Sequence, residues 1–234
     1  MLGMRHPPRR AEGDEAEKPF WISYSDLMTA LMVLFLVAMS VSLFSITQKV
    51  ISGPEEHRKK VDACMADVDE MTRRDFPGVE INGHSISFGT LALFATNSHL
   101  LDTAAETILR AYVPKVLSLA RSKGCSAVFK RVIVEGFASQ SGTYIHNLNL
   151  SLQRAERVLC SLLEPSVAGA LSDTDRRSVR NLFLVGGSSF NALKPSNVQS
   201  QRIELKLEFL GYGEKREEIR EAPLDQTLQC PLDK

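Results

Sequence analysis

The chain has 234 residues, and its 28 Lys and Arg residues equal its 28 Asp and Glu residues, so its formal net charge is zero. This length allows one or two domains, and the balanced charge gives no indication of nucleic-acid binding. The four cysteines and five histidines show no zinc-type spacing, so we expect neither a metal site nor a cofactor.

The N-terminal part of the chain predicts a tail and then a membrane span. Residues 1–18 are polar, and we expect a disordered tail there. In the segment 19–48 that follows, Asp26 is the only charged residue, and the uncharged run 27–48 is long enough for a helix across a hydrocarbon core. A cleaved signal peptide is the alternative, but this run is longer than a signal core and Asp26 lies within the apolar segment. We therefore expect a single uncleaved transmembrane helix.

The carboxylate of Asp26 is the first candidate functional group. An ionised Asp within a membrane helix costs about 2.5–3.5 kcal/mol on insertion scales, so such residues usually have a function. Helical spacing places Ala30 on the face of Asp26, with Thr29 beside it, and both are small enough for a neighbouring helix to approach. The residues predict a proton or cation site completed by partner helices. The alternative is that Asp26 lies at the membrane interface, near Tyr24.

A linker at 49–77 is predicted to connect the span to the rest of the chain. Ser52-Gly53-Pro54 is expected to break the chain before a new helix. Apolar residues then recur every three or four positions in a charged sequence, at Val61, Cys64, Met65, Val68 and Met71. This narrow stripe favours a short parallel coiled coil between two copies, although packing on its own domain or on a partner stays open.

Cysteine usage leaves two alternatives open. Cys64, Cys125, Cys160 and Cys230 all follow the span. One or two disulfides fit an even count on an oxidising side of the membrane, and free core thiols fit equally well. Cys64 lies in the apolar stripe, so an intermolecular disulfide is among the alternatives.

The segment 78–211 alternates short strands with helices. The predicted strands are 79–81, 85–88, 128–135, 182–185 and 202–209, and the predicted helices are 100–122, 149–163 and 171–180. Asn82-Gly83 is a hairpin signal, and Pro114 is expected to kink or divide its helix. This order predicts an α+β sandwich with the helices on one face of a mixed sheet. Residues 212–234 are predicted to be a tail with no more than a short helix.

Residues 21–32, WISYSDLMTALM, resemble the transmembrane helix of MotB-type stator subunits. The resemblance implies that Asp26 carries the ion and that Tyr24, Thr29 and Ala30 support its pathway. It also implies a MotA-like polytopic membrane partner, as a pentamer around a homodimer of this chain. The transported ion would be H⁺, with Na⁺ as the alternative.

The region 79–209 resembles the OmpA-like peptidoglycan-binding domain. The match runs through Gly136, Ser139, Gly142 and Asn147 to Leu150-Ser-x-x-Arg154-Ala. It implies that the planar fork of Arg154 binds a carboxylate of a stem-peptide diamino acid. The implied peptidoglycan-binding residues are Arg154, Asn147, Leu150, Ser139 and His146. A structural salt bridge is the alternative role for Arg154.

The chain departs from this family's pattern at three positions. Ser139 stands where the family has an Asp that meets the ligand's ammonium group, and Phe137 stands where it has a His. Gln201 replaces a basic residue in the last strand. These departures bear on affinity or ligand choice, and a fold kept only for dimerisation or partner contact is the alternative to wall binding.

Together, the two resemblances imply a peptidoglycan-anchored stator subunit of a proton-driven rotary motor in the bacterial inner membrane. Residues 1–18 would be cytoplasmic, the C-terminal domain would be periplasmic, and the chain would not be an enzyme. The short linker and the amino-acid sequence of the span look most like those of the B subunits of the Zorya anti-phage defence system. A flagellar MotB-type subunit and a static OmpA-like envelope tether without ion conduction are the alternatives.

Overall fold

The computed structural model describes residues 18–216 and 230–233. The chain divides into two compact units, Met1–Pro54 and Glu55–Lys234. The expected cytoplasmic tail, apart from Lys18, lies outside the described residues, as do 217–229 and Lys234 of the expected C-terminal tail. Within the described part of that tail, Pro231–Asp233 forms one 3₁₀ turn.

The first helix, α1, runs from Lys18 to Asp75 with Pro54 inside it, so the expected break at Ser52–Pro54 is wrong. A proline removes one helical hydrogen bond and crowds the preceding turn. Directly after Pro54, two ion pairs at i,i+4 spacing, Glu55–Lys59 and Glu56–Lys60, support the continuing helix. Among the described residues, one helix is long and apolar enough to cross a membrane, and its most apolar stretch of 18 residues has a mean hydropathy of 2.5.

The apolar stripe of α1 packs within the second unit, which corrects the coiled-coil expectation. Met65, Val68 and Met71 join the main core, while Val61 and Cys64 pack against Val128 and Cys125. A disulfide joins Cys64 to Cys125 within the chain. Because the stripe is already covered, it does not offer a seam to a second copy.

The remaining elements form a five-stranded mixed sheet with helices. The strands are β1 (Glu80–Asn82), β2 (Ser85–Ser87), β3 (Phe129–Gly136), β4 (Phe183–Gly187) and β5 (Ile203–Phe209), and the helices are α2 (Thr103–Arg121), α3 (Tyr144–Leu163), α4 (Asp173–Leu182) and the short α5 (Asn197–Ser200), with a 3₁₀ turn at Gly89–Ala92. The strand order is β1-β2-β5-β3-β4, in which only the β3–β4 pair is parallel. This architecture confirms the predicted α+β fold class.

One hydrophobic core holds the sheet and the three longer helices together. Val132 of β3 and Leu205 of β5 are buried where the strands alternate inward. Leu109 of α2, Val158 of α3 and Val179 of α4 lie in the same core. A second disulfide, Cys160–Cys230, ties the described C-terminal residues to α3.

Two helix predictions differ from the structure in detail. Pro114 lies inside α2 and does not divide it. Helix α3 begins at Tyr144 and not at Asn149, because Thr143 caps it by accepting a hydrogen bond from the backbone N–H of His146. The earlier start adds a turn and a half to α3 and brings His146 and Asn147 into the helix.

Candidate functional site

A pocket of about 240 Å³ lies between the loop around residue 96, the loop after β3 and the first turns of α3. All five predicted peptidoglycan-binding residues line it. The lining residues are Thr96, Asn97, Ser139, Ser141, Gly142, His146, Asn147, Leu150 and Arg154. On α3 the positions 147, 150 and 154 follow one another at spacings of three and four, so a single helix face points them into the pocket.

Two glycines allow α3 to lie close against the ends of the parallel strands. A Cβ atom at Gly136, the last residue of β3, would stand 1.9 Å from the carbonyl oxygen of Ser151. A Cβ atom at Gly187, the last residue of β4, would stand 2.6 Å from Ser151 Oγ. Only glycine permits this approach without a backbone shift, and the approach fixes the position of Arg154 one turn further along α3.

The guanidinium of Arg154 is buried and held by backbone carbonyl groups. Its Nε donates to the oxygen of Ser98 at 2.9 Å, Nη1 to that of Phe137 at 2.7 Å, and Nη2 to that of Ala95 at 3.1 Å. The ring of Phe94 stacks on the group at 4.9 Å. These partners are neutral, so within the described part of the chain Arg154 forms no structural salt bridge, which was the alternative role.

The charge of Arg154 has no acidic counterpart among the residues that line the pocket. Burial lowers the pKa of Arg154 to about 10, and the group is still cationic at neutral pH. A guanidinium carries five N–H groups, of which the three bonds to carbonyl oxygens use three. One N–H therefore remains on each terminal nitrogen, and a carboxylate that reaches both is held bidentately.

The side wall of the pocket is built from neutral polar groups. Gln201 Nε2 donates to Ser139 Oγ at 3.1 Å and to Thr96 Oγ1 at 3.3 Å. His146 Nε2 and Asn97 Oδ1 are 2.8 Å apart, within hydrogen-bond distance. This network links three separate segments of the chain across the pocket.

Asn147 shapes the loop that closes one end of the pocket. Its Nδ2 donates to the carbonyl oxygens of Ser141 at 2.7 Å and Thr143 at 3.1 Å. The amide therefore ties the loop after β3 to the start of α3. This contact makes Asn147 a residue that positions the pocket wall.

Four further residues belong to the site although no sequence pattern assigned them to it: Thr96, Asn97, Ser141 and Gln201. In the sequence Gln201 is only the loss of a basic residue, whereas in the structure it is buried and joins two hydroxyl groups. Asn97 adopts a left-handed backbone conformation, with φ of 54°. Asn tolerates this region better than most residues, so the dipeptide Thr96-Asn97 was the available turn signal.

The predicted ion-site residues all lie in the exposed apolar part of α1. Asp26, Tyr24, Thr29 and Ala30 are exposed, and Thr29 Oγ1 donates to the carbonyl oxygen of Ser25 at 2.5 Å. Within the part of the chain that the structure describes, no hydrogen bond or ion pair joins Asp26 to another side chain. The ion-site assignment stays a prediction, and it requires groups from other chains.

Comparisons with known proteins found similarities in both parts of the chain. Residues 5–50 match the model of the family described as membrane MotB of the proton-channel complex MotA/MotB. The chain resembles the OmpA-like domain of FopA1 from Francisella tularensis, at 19% identity over 57% of this chain and 82% of that one, with a TM-score of 0.37. The chain also resembles the periplasmic domain of Helicobacter pylori MotB, at 14% identity over 56% of this chain and 87% of that one, with a TM-score of 0.40.

A relative of similar length covers almost the whole chain. The Zorya protein ZorB of Escherichia coli O139:H28 is 39% identical over 242 residues, which span 99% of this chain and 98% of the relative. This identity over the full length of both proteins shows the family: the chain belongs to the family of the Zorya protein ZorB.

Proposed function

We propose that this protein is a peptidoglycan-anchored stator subunit of a proton-driven rotary motor that acts in anti-phage defence. Its α1 would cross the bacterial inner membrane once, with the N-terminus in the cytoplasm and the sheet domain in the periplasm. Two copies would stand inside a pentamer of a MotA-like partner. The chain itself would carry an ion, H⁺ or alternatively Na⁺, and would catalyse no covalent reaction.

The observation that carries the anchoring part of this proposal is the buried guanidinium of Arg154. It is cationic, it lies against a pocket without an acidic residue, and it has two N–H groups to spare. A carboxylate of a wall peptide would supply the missing negative charge. Ser139, Leu150, His146 and Asn147 would shape the pocket around that carboxylate.

The ion-carrying part is supported by the first unit. Asp26 is the only charged residue of the apolar segment 19–48, which lies within residues 5–50 that match the model of the MotB proton-channel family. Protonation removes the charge of the carboxylate and with it most of the cost of an apolar environment. A proton moving down the membrane potential supplies about 2.3 kcal/mol per 100 mV, so each protonation step can change which partner contacts the helix makes.

Retention on isolated peptidoglycan sacculi tests the anchoring part. Arg154→Met keeps much of the side-chain bulk but removes the charge and the donors, and we expect at least a tenfold loss of retention. Arg177→Met is the matched control, because Arg177 is exposed on α4 and does not line the pocket. Circular dichroism establishes that both variants are folded. Full retention of a folded Arg154→Met variant would contradict wall binding through this pocket.

Proton flux into vesicles that contain the chain and its MotA-like partner tests the ion-carrying part. Asp26→Asn should abolish flux and leave the complex assembled, because the amide is nearly isosteric but cannot carry a proton. Asp26→Glu is the control that keeps the titrating group. Flux through the Asn variant at the wild-type rate would refute the assignment.

A further inference from the structure

The pocket around Arg154 has no acidic lining residue, and this bears on which carboxylate ligands suit it. Its nine lining residues contain one guanidinium and one imidazole, and none of them is acidic. The remaining lining groups are hydroxyls, amides, a glycine and one leucine. A ligand that brings a carboxylate finds a partner there, whereas a ligand that also brings an ammonium group finds no carboxylate to meet it.

We propose that the pocket binds a carboxylate whose neighbouring amine is acylated, in preference to the free zwitterion. This inference rests on the proposed wall-anchoring function and names the form of the wall that the pocket takes. In peptidoglycan, the side-chain amine of a stem diamino acid is acylated where two stems are cross-linked. The preferred ligand would then be a cross-linked stem, and an uncross-linked stem with a free amine would bind more weakly.

The size of the pocket makes this distinction strong. A sphere of about 240 Å³ has a diameter of about 8 Å, so an ammonium group inside it would lie within about 8 Å of the guanidinium. That separation does not exceed the screening length at physiological salt, about 8 Å, and the buried guanidinium is screened less than an exposed one. The two like charges would therefore repel each other, and acylation of the amine would remove the repulsion.

Ser139 lines the part of the pocket that would face the acylated amine, and Gln201 is hydrogen-bonded to it. Ser139 is 5% exposed and Gln201 is 3% exposed, and Ser139 Oγ accepts its hydrogen bond from Gln201. The hydroxyl hydrogen of Ser139 is then available to an acceptor such as the carbonyl oxygen of an amide. An ammonium group has three donors and no acceptor, so it suits this wall less well.

The test compares two synthetic stem tripeptides that end in meso-diaminopimelate, one with a free side-chain amine and one with that amine acetylated. Binding to the full-length protein in detergent is measured by isothermal titration calorimetry. We expect the acetylated peptide to bind at least tenfold more tightly. Equal affinities, or tighter binding of the free amine, would overturn the inference.

Two variants at one position strengthen the test. Ser139→Asp introduces a carboxylate and should reverse the preference toward the free amine. Ser139→Asn has nearly the same shape as the Asp variant without its charge, and it should keep the preference of the unaltered protein. A reversal in both variants would show that shape and not charge decides, and it would overturn the inference.

Retention of the unaltered protein on sacculi separates this inference from the anchoring proposal. If sacculi retain the protein but it binds neither peptide, or favours the free amine, anchoring stands and the preference for acylated amines is wrong. If sacculi do not retain the protein and neither peptide binds, both proposals fall.

Discussion

Residues 55–76 are expected to be part of the folded domain and not a detachable linker. Met65, Val68 and Met71 are each no more than 9% exposed and lie in the main core. Full burial of one such side chain stabilises a fold by about 1.5–3 kcal/mol, so the three together contribute roughly 5–9 kcal/mol. The unfolding free energy of a whole domain is about 5–15 kcal/mol. A fragment that lacks this segment should therefore be mostly unfolded.

The assay compares the fragments 55–234 and 78–234 by circular dichroism, thermal unfolding and light scattering. The longer fragment should be a folded monomer with a cooperative transition, and the shorter one should have none. Within 55–234, Val68→Ala should lower the unfolding free energy by about 1–3 kcal/mol, while Asp62→Ala, at an exposed position on the same helix, should change it by less than about 0.5 kcal/mol. Cooperative melting of the fragment 78–234 near the melting temperature of 55–234 would refute the reasoning. If 55–234 is a dimer and 78–234 is not, the coiled coil is favoured instead.

Two further substitutions test the support of the pocket and the anchoring of α1. Gly136→Ala should prevent folding, because its Cβ would meet the carbonyl oxygen of Ser151, whereas Gly124→Ala meets no atom closer than 3.9 Å and should leave the melting temperature nearly unchanged. Tyr112→Phe removes a 2.8 Å hydrogen bond to Thr72 and should lower the unfolding free energy by about 1 kcal/mol at pH 7. Burial raises the pKa of Tyr112 from 10.0 to about 12. The stability that its neutral form contributes is therefore complete below pH 10 and is lost as the pH rises through 12. Chemical denaturation at pH 8 and pH 11 should show this loss in the unaltered protein and not in Tyr112→Phe.

Local patterns were sufficient to predict the sheet elements, whereas the five predicted pocket residues came from the resemblance to the OmpA-like domain. Asn82 is the last residue of β1, and Gly83, with a φ of 59°, begins the turn to β2. Leu150 and Arg154 lie within the predicted helix 149–163, and their spacing of four places both on one face of it, whereas Asn147 lies before its predicted start. These features depend on residues close together in the sequence, so they can be read without knowledge of the tertiary structure.

The apolar stripe of α1 shows where local patterns fail. An apolar spacing of three and four fits the seam of a coiled coil and the buried face of a helix on a domain equally well. The choice depends on what covers the stripe, and the partners include Cys125 and Val128, which lie about sixty residues away along the chain. Likewise, four cysteines allow three pairings, and only the tertiary structure joins Cys64 to Cys125.

The pocket wall failed to emerge from the sequence for the same reason. Gln201 contacts Thr96 and Ser139 across 105 and 62 positions of the chain. No short motif contains all three residues. Compared with the family pattern, Gln201 is only a residue that differs from the expected basic one. In this chain it donates a hydrogen bond to Ser139, and Ser139 also differs from the family pattern.

Each compact unit contains a charge in unfavourable surroundings, with no partner of opposite charge among the described residues. Asp26 stands in an apolar helix, and Arg154 is buried beside neutral carbonyl oxygens. The lowering of the pKa of Arg154 from 12.5 to about 10 corresponds to a cost of roughly 3 kcal/mol for the charged group. Fold stability does not account for this cost, since a neutral side chain of similar volume would avoid it. A carboxylate ligand at Arg154 would recover the cost on binding, and a proton or a partner group at Asp26 would do the same in the membrane. We therefore expect each unit to be completed by a group from outside the described residues.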